Sequence, residues 1–202
     1  MRFVAGAVLT LGLLAAGGAA AQEGLSRLFM SPMGEPYRAE SGPSIVAWLA
    51  AADTDQDGRL SRAEFVDRAN VFFARVLDAN QDGGVTSAES TTFWRLRAPE
   101  VLAARPPSGA RPRGGSDLGI ATNAGSSRRR HDRDPPRRGA AVYGILFEAE
   151  PVLSCDADMS RRVTAEEFQD CANRRFDQID VDGDGYFTIA ESPRASELAG
   201  LE

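Results

Sequence analysis

Four times along this 202-residue chain, oxygen-bearing residues recur at fixed positions of a twelve-residue segment: the first, third, fifth, ninth and twelfth. Alternate residues of a tight loop turn their oxygens inward, and a glycine at the sixth position permits the positive φ of the sharp bend. The first segment supplies Asp53, Asp55, Asp57, the backbone carbonyl of Arg59, Ser61 and Glu64, with Gly58 at the bend. The second supplies Asp78, Asn80, Asp82, the carbonyl of Gly84, Thr86 and Glu89, with Gly83 at the bend. The last supplies Asp180, Asp182, Asp184, the carbonyl of Tyr186, Thr188 and Glu191, with Gly185 at the bend.

Such a set suits a hard cation. Calcium takes six to eight oxygens at about 2.3–2.6 Å, two of them from a glutamate at position twelve, so Ca2+ is the expected cofactor. A further segment departs from the pattern. Aligning Glu167-Phe168 with Glu64-Phe65 places Asp156, Asp158, Ser160, Arg162, Thr164 and Glu167 on the ligand positions, but puts Arg161 where glycine belongs. Holding a non-glycine residue at positive φ costs about 1–2 kcal/mol. Two adjacent guanidinium groups are also expected to repel a cation there.

The position-eight residues, Leu60, Val85, Val163 and Phe187, are all apolar, and position nine carries a hydroxyl in all four segments. On these motifs the chain resembles the EF-hand superfamily over about residues 45–94 and 151–192, and in particular exported bacterial EF-hand proteins with closely spaced hands. The resemblance implies an all-α fold in which paired loops are joined by a short β-bridge at position eight.

The chain is also internally repeated: Ala63-Glu64-Phe65-Val66-Asp67-Arg68-Ala69-Asn70 precedes the second loop as Glu166-Glu167-Phe168-Gln169-Asp170-Cys171-Ala172-Asn173 precedes the fourth. Only residues 65–77 and 168–179 separate the loops of each half. One helix must therefore leave one hand and enter the next. Its apolar face is expected at Phe65, Ala69, Phe72, Phe73, Val76 and Leu77, and again at Phe168, Cys171, Ala172, Phe176 and Ile179. Such a helix holds its own two loops about 20 Å apart, at 1.5 Å per residue, too far to bridge each other. The expected architecture is four EF-hand loops in two helix-sharing pairs, packed as one composite helical domain, with the first loop bridged to the fourth and the second to the third.

Short spacing is shared with lanmodulin, which binds lanthanides, and with the dockerin modules of cellulose-degrading complexes. Lanmodulin loops carry proline at position two and an acid at nine. Here the residues at position two are Thr54, Ala79, Ala157 and Val181. Calcium is accordingly the expected ion, with lanthanide binding and a dockerin-like interaction module as alternatives.

The first residues, from Arg2 through an apolar run to Ala19-Ala20-Ala21, read as a secretory signal peptide over 1–21. The expected domains are then 22–102 for the first pair, 103–139 for a disordered Arg/Pro/Gly-rich linker and 140–202 for the second pair. The linker holds nine arginines against three aspartates, so the net charge of -6 is concentrated in the two pairs and argues against nucleic acid as a partner. A periplasmic or secreted location is expected, with no stable membrane insertion once the signal is removed. Calcium ions are the expected partners, with another exported protein as the alternative.

Cys155 and Cys171 are an even number in an oxidising compartment and are expected to pair. In calmodulin-like hands their two positions meet in the core. Trp48 and Trp94 read as core residues. The single histidine, His131, lies in the linker, and nucleophile elbows, zinc-type Cys/His spacings and phosphate-binding glycine loops are missing from the sequence, so no enzyme is expected.

Overall fold

The computed structural model describes residues 28–103 and 136–201. The expected signal peptide and almost all of the expected linker lie outside the described residues. The described chain is about half helical, compatible with an EF-hand helical domain. It opens on a hairpin, β1 (Leu28–Met30) and β2 (Pro36–Arg38), followed by α1 (Ser44–Ala52), β3 (Leu60–Ser61) and α2 (Arg62–Phe72). A π-helical turn (Phe73–Leu77) extends α2; β4 (Gly84–Thr86), α3 (Ser87–Arg97) and α4 (Pro99–Ala103) complete the first half. The second half has 3₁₀ turns at Gly139–Val142 and Leu153–Cys155, β5 (Arg162–Thr164), α5 (Ala165–Ile179), β6 (Tyr186–Phe187), a 3₁₀ turn at Ile189–Glu191 and α6 (Pro193–Ala199).

The long shared helices, α2 with its π-helical turn and α5, cross at the centre. Their apolar faces meet through aromatic rings: Phe65 on Phe176 at 5.7 Å, Phe72 on Phe168 at 6.4 Å and Phe73 on Phe168 at 5.3 Å between centroids. Tilted and edge-on ring pairs of this kind add to the burial itself. Every residue expected on the two helical faces is buried except Val76. The π-helical turn explains the exception, because the extra residue per turn swings Val76 outward and brings Leu77 into the core. Trp48 and Trp94 are both buried.

Loops from opposite halves pair in antiparallel ladders. β3 joins β6, with Leu60 opposite Phe187, and β4 joins β5, with Val85 opposite Val163. These position-eight side chains are completely buried, so the ladders seal one end of the core. The first loop is thus bridged to the fourth and the second to the third.

The hairpin had no counterpart in the sequence reading. It sits against the second half: Met30 N–H donates to the Tyr143 carbonyl at 3.0 Å, and Met30 also bridges Gly144. Residues 136–139, assigned to the linker on composition, have a described position. Arg137 Nη1 lies 3.0–3.2 Å from the carbonyls of Ala141, Gly144, Ile145 and Leu146 and holds that bend together. The apolar segment Ala141–Phe147 crosses the core only in part, burying Ala141 and Ile145 and leaving Phe147 outside.

Cys155 and Cys171 form a disulfide with Cα atoms 5.5 Å apart, tying the brief 3₁₀ turn before the third loop to α5. Pro151 leaves room for little more than that turn, so the third loop lacks a full entering helix. For a ring of 16 residues, reduction is expected to remove about 3 kcal/mol of stability. Urea unfolding with and without reductant reads this as a lower midpoint; identical midpoints would show that the clamp contributes nothing.

Candidate metal centre

All four loops share one backbone path. Position six has positive φ throughout: Gly58 and Gly83 at 84°, Gly185 at 89° and Arg161 at 70°. Position four does as well, with Gln56 at 61°, Gln81 at 58°, Met159 at 58° and Gly183 at 72°. The third loop therefore adopts the shape of the others in spite of Arg161, whose side chain is exposed to solvent.

Each loop is wound around its first carboxylate. The Asp53 oxygens accept the N–H groups of Asp57 and Gly58 at 3.2 and 2.9 Å, and Asp78 accepts those of Asp82 and Gly83 at 3.1 and 2.9 Å. Asp156 accepts from Ser160 and Arg161 at 3.0 and 2.8 Å, and Asp180 from Gly183 and Gly185 at 2.9 and 3.1 Å. Short polar side chains that bond to backbone two to five residues ahead favour such turns over helix. Position five repeats the device one step on: Asp57, Asp82 and Asp184 accept from Arg59, Gly84 and Tyr186 at 2.8–3.2 Å.

At the other end, positions nine and twelve make one unit. Ser61, Thr86 and Thr164 cap the N-termini of α2, α3 and α5, and Glu64, Glu89 and Glu167 close the capping boxes. Thr188 likewise donates through N–H and hydroxyl to Glu191 at 2.6 and 2.8 Å. The structure thus commits the position-nine hydroxyls to helix starts. The Ser/Thr-x-x-Glu spacing that signals this is present in the sequence four times, superimposed on the ligand pattern.

The twelfth-position glutamates also reach back across their loops. Glu64 Oε1 accepts from Thr54 and Asp55 at 2.6 and 3.2 Å, and Glu167 Oε1 from Ala157 and Asp158 at 3.1 and 3.3 Å. Glu191 Oε2 accepts from Val181 at 3.3 Å. The second loop differs: Glu89 Oε1 is buried with no hydrogen-bond partner among the described residues. A buried carboxylate oxygen left unpaired carries a desolvation cost. A cation bound among Asp78, Asn80 and Asp82 would remove that cost, so the residues present fit calcium.

Electrostatics point the same way. The Asp57 amide draws the Asp55 carboxyl down, but partial desolvation and the charges of Asp57, Glu64 and Asp53 outweigh it and hold it above its usual range. Crowded like charges of this kind favour a bound cation. Burial pushes Glu64 up, yet the Ser61 hydroxyl and the Ser61, Thr54 and Asp55 amides together hold it below the usual carboxylate range. Glu167 is lowered mainly by the Thr164 amide.

Ligand atoms of Asp53, Asp55 and Asp57 lie within 4.8 Å of one another, as do those of Asp156, Asp158 and Glu167, and those of Asp180, Asp182 and Glu191. The third loop, in spite of its two arginines, brings its carboxylates together as the first and fourth do. Arg162, whose charge was expected to oppose a cation there, points out of its own loop toward Asp82 of the second loop, at 2.6 Å.

Comparison with known proteins adds an independent observation. No curated protein and no solved structure matches the chain. The family model described as EF hand matches residues 45–67 and 174–191. These stretches hold α1 with the first loop, and the end of α5 with the fourth loop. They are the two loops that the β3·β6 ladder joins. The matched segments and the acidic clusters within them support the EF-hand superfamily and fit calcium binding.

Proposed function

We propose that the chain is a calcium-binding protein of the periplasm or the extracellular space, with four metal loops and no catalytic role. The observation that carries this reading is the common loop geometry: one backbone path in four places, each with a carboxylate wound into its first turn and a glutamate at its close. Where bound, calcium would be held by Asp53, Asp55, Asp57, Glu64 and the Arg59 carbonyl in the first loop, and by the corresponding residues of the other three. It would neutralise the crowded carboxylates and lock each loop to the helices on either side. EF-hand proteins are generally not enzymes. The disulfide is compatible with an exported location.

Calorimetry and native mass spectrometry test the assignment by stoichiometry. Glu64→Gln, Glu89→Gln, Glu167→Gln and Glu191→Gln are each expected to lower the number of bound calcium ions by one, because each removes a charge and a ligand oxygen. Unchanged stoichiometry in all four variants would end the reading.

One observation favours a second use of the same ion. Two adjoining clefts of about 390 and 330 Å³ meet at Arg75 and Val76, and Val71 and Leu96 stand exposed on their rims. A calcium-held surface of this kind would dock another exported protein. Circular dichroism separates the cases: a docking module held by calcium loses most of its helix when the ion is removed, whereas a buffer or sensor stays folded.

A further inference from the structure

The two loop pairs are built differently where they touch. Across the first and fourth loops, the position-seven residues are Arg59 and Tyr186, and the guanidinium stacks on the ring 3.8 Å from its centroid. Across the second and third loops they are Gly84 and Arg162. A Cβ on Gly84 would come within 2.1 Å of Arg162 Nε, so only glycine leaves the path that this side chain takes. The guanidinium passes over Gly84 and ends on Asp82, the position-five carboxylate of the second loop. Nη2 lies 2.6 Å from Asp82 Oδ1 and 2.6 Å from the Asp82 carbonyl, and Nη1 lies 3.4 Å from Oδ2. Both carboxylate oxygens thus face a guanidinium cation.

We infer that Arg162 is a tethered competitor for Asp82, so that the second loop takes up calcium only by displacing it and binds more weakly than its own ligands dictate. This inference rests on the calcium reading of the loops. The rest of the second loop is prepared for a cation, with Glu89 Oε1 buried and unpaired. Its fifth-position ligand is the one already engaged. The two side chains are 39% and 42% exposed, so the pair is screened by water and can be displaced by a divalent ion. Because Arg162 belongs to the third loop and its own carbonyl accepts the Ser160 hydroxyl at 3.0 Å, filling the second loop also alters the third. Arg162 thus couples two sites that the β4·β5 ladder already joins, and linkage of this kind is reciprocal.

The test is a calcium titration of the full chain by 1H–15N correlation spectroscopy, in which each loop reports through its position-six amide: Gly58, Gly83, Arg161 and Gly185. Arg162→Gln removes the competing charge and keeps a strand-compatible side chain. Gly84→Ala expels the guanidinium by occupying its path. Each variant is expected to lower the calcium concentration at the Gly83 midpoint by about twofold to fivefold, the scale of an exposed ion pair, while Gly58 and Gly185 titrate as before. Arg161→Gln, which removes an equal charge from the same loop without touching Asp82, is expected to leave Gly83 where it was. An unchanged Gly83 midpoint in Arg162→Gln, or an equal shift in Arg161→Gln, overturns the inference while the other loops still bind. If none of the four amides responds to calcium, the calcium reading itself fails.

Discussion

Residues 28–103 and 136–201, produced as two separate chains, are each expected to show little stable helix in calcium and to regain it when mixed. Each fragment is shorter than 80 residues, a size at which a lone core is marginal. Neither fragment keeps its own core, because the main apolar contact in the molecule is between them: α2 and its π-helical turn against α5, with Phe168 wedged between Phe72 and Phe73. Both β-ladders run between the halves, so a separated loop leaves Leu60, Val85, Val163 or Phe187 facing water. Losing the burial of one such side chain costs about 1.5–3 kcal/mol, and four are exposed together.

Polar contacts break as well. Arg62 loses Asp177, at 2.6 Å, and the Asn173 carbonyl at 3.1 Å, while Ser90 and Trp94 lose the Glu150 carboxylate that they share at 2.8 and 2.6 Å. Circular dichroism of each fragment and of the equimolar mixture checks the expectation. Two fragments that fold independently and do not associate would show that the halves are separate domains.

What the sequence disclosed followed from short-range rules. A ligand loop is specified by a dozen consecutive residues, so its position, its bend and its partner helix are all legible within the segment. The loop pairing was legible for a related reason: a shared helix separates its own two loops, and apolar position-eight residues need a partner from elsewhere. The helical faces followed from periodicity and went astray only at Val76, where the π-helical turn changes the period after Phe72. Nothing in the residues Phe73 to Leu77 announces that change.

Long-range choices of individual side chains were the part that stayed hidden. Within the linear sequence Arg162 is only a local obstacle to a cation, because nothing there shows that a residue beside its path on the facing strand, Gly84, lacks a side chain. Only the β4·β5 register, which sets Thr86 against Arg162 and Gly84 against Thr164, opens the path to Asp82. The hairpin at 28–38 is not legible in the sequence, since its strands are three residues each and carry little alternation. Its turn is held by a residue 143 positions beyond Pro32 in the sequence.

That residue, Arg175, provides the last expected result: Arg175→Met should lower stability by about 4 kcal/mol, close to the effect of emptying a large core position. Arg175 lies on α5 between core residues and is only 4% exposed, yet it carries a charge. Burial lowers its pKa to about 10, offset in part by Glu148 and Glu150, so it is still protonated at neutral pH. A buried cation is tolerated only when its donors are matched. Here Nη1 donates to the carbonyls of Pro32 and Pro151 at 2.9 and 2.7 Å, and Nη2 to the Ser154 hydroxyl at 2.7 Å.

The hairpin turn is seated on the same place. Gly34, at φ 89°, comes so near that a Cβ would lie 2.9 Å from the Pro151 ring. Arg175 therefore joins three pieces of chain: the hairpin, the turn before the third loop, and α5. Methionine fills a similar volume but leaves those carbonyls buried and unpaired. Lysine keeps the charge with a single nitrogen in place of the planar fork, and is expected to recover about half of the loss. Urea unfolding at saturating calcium measures both variants against the parent protein. A methionine variant as stable as the parent would show that the hairpin and α5 do not depend on this residue.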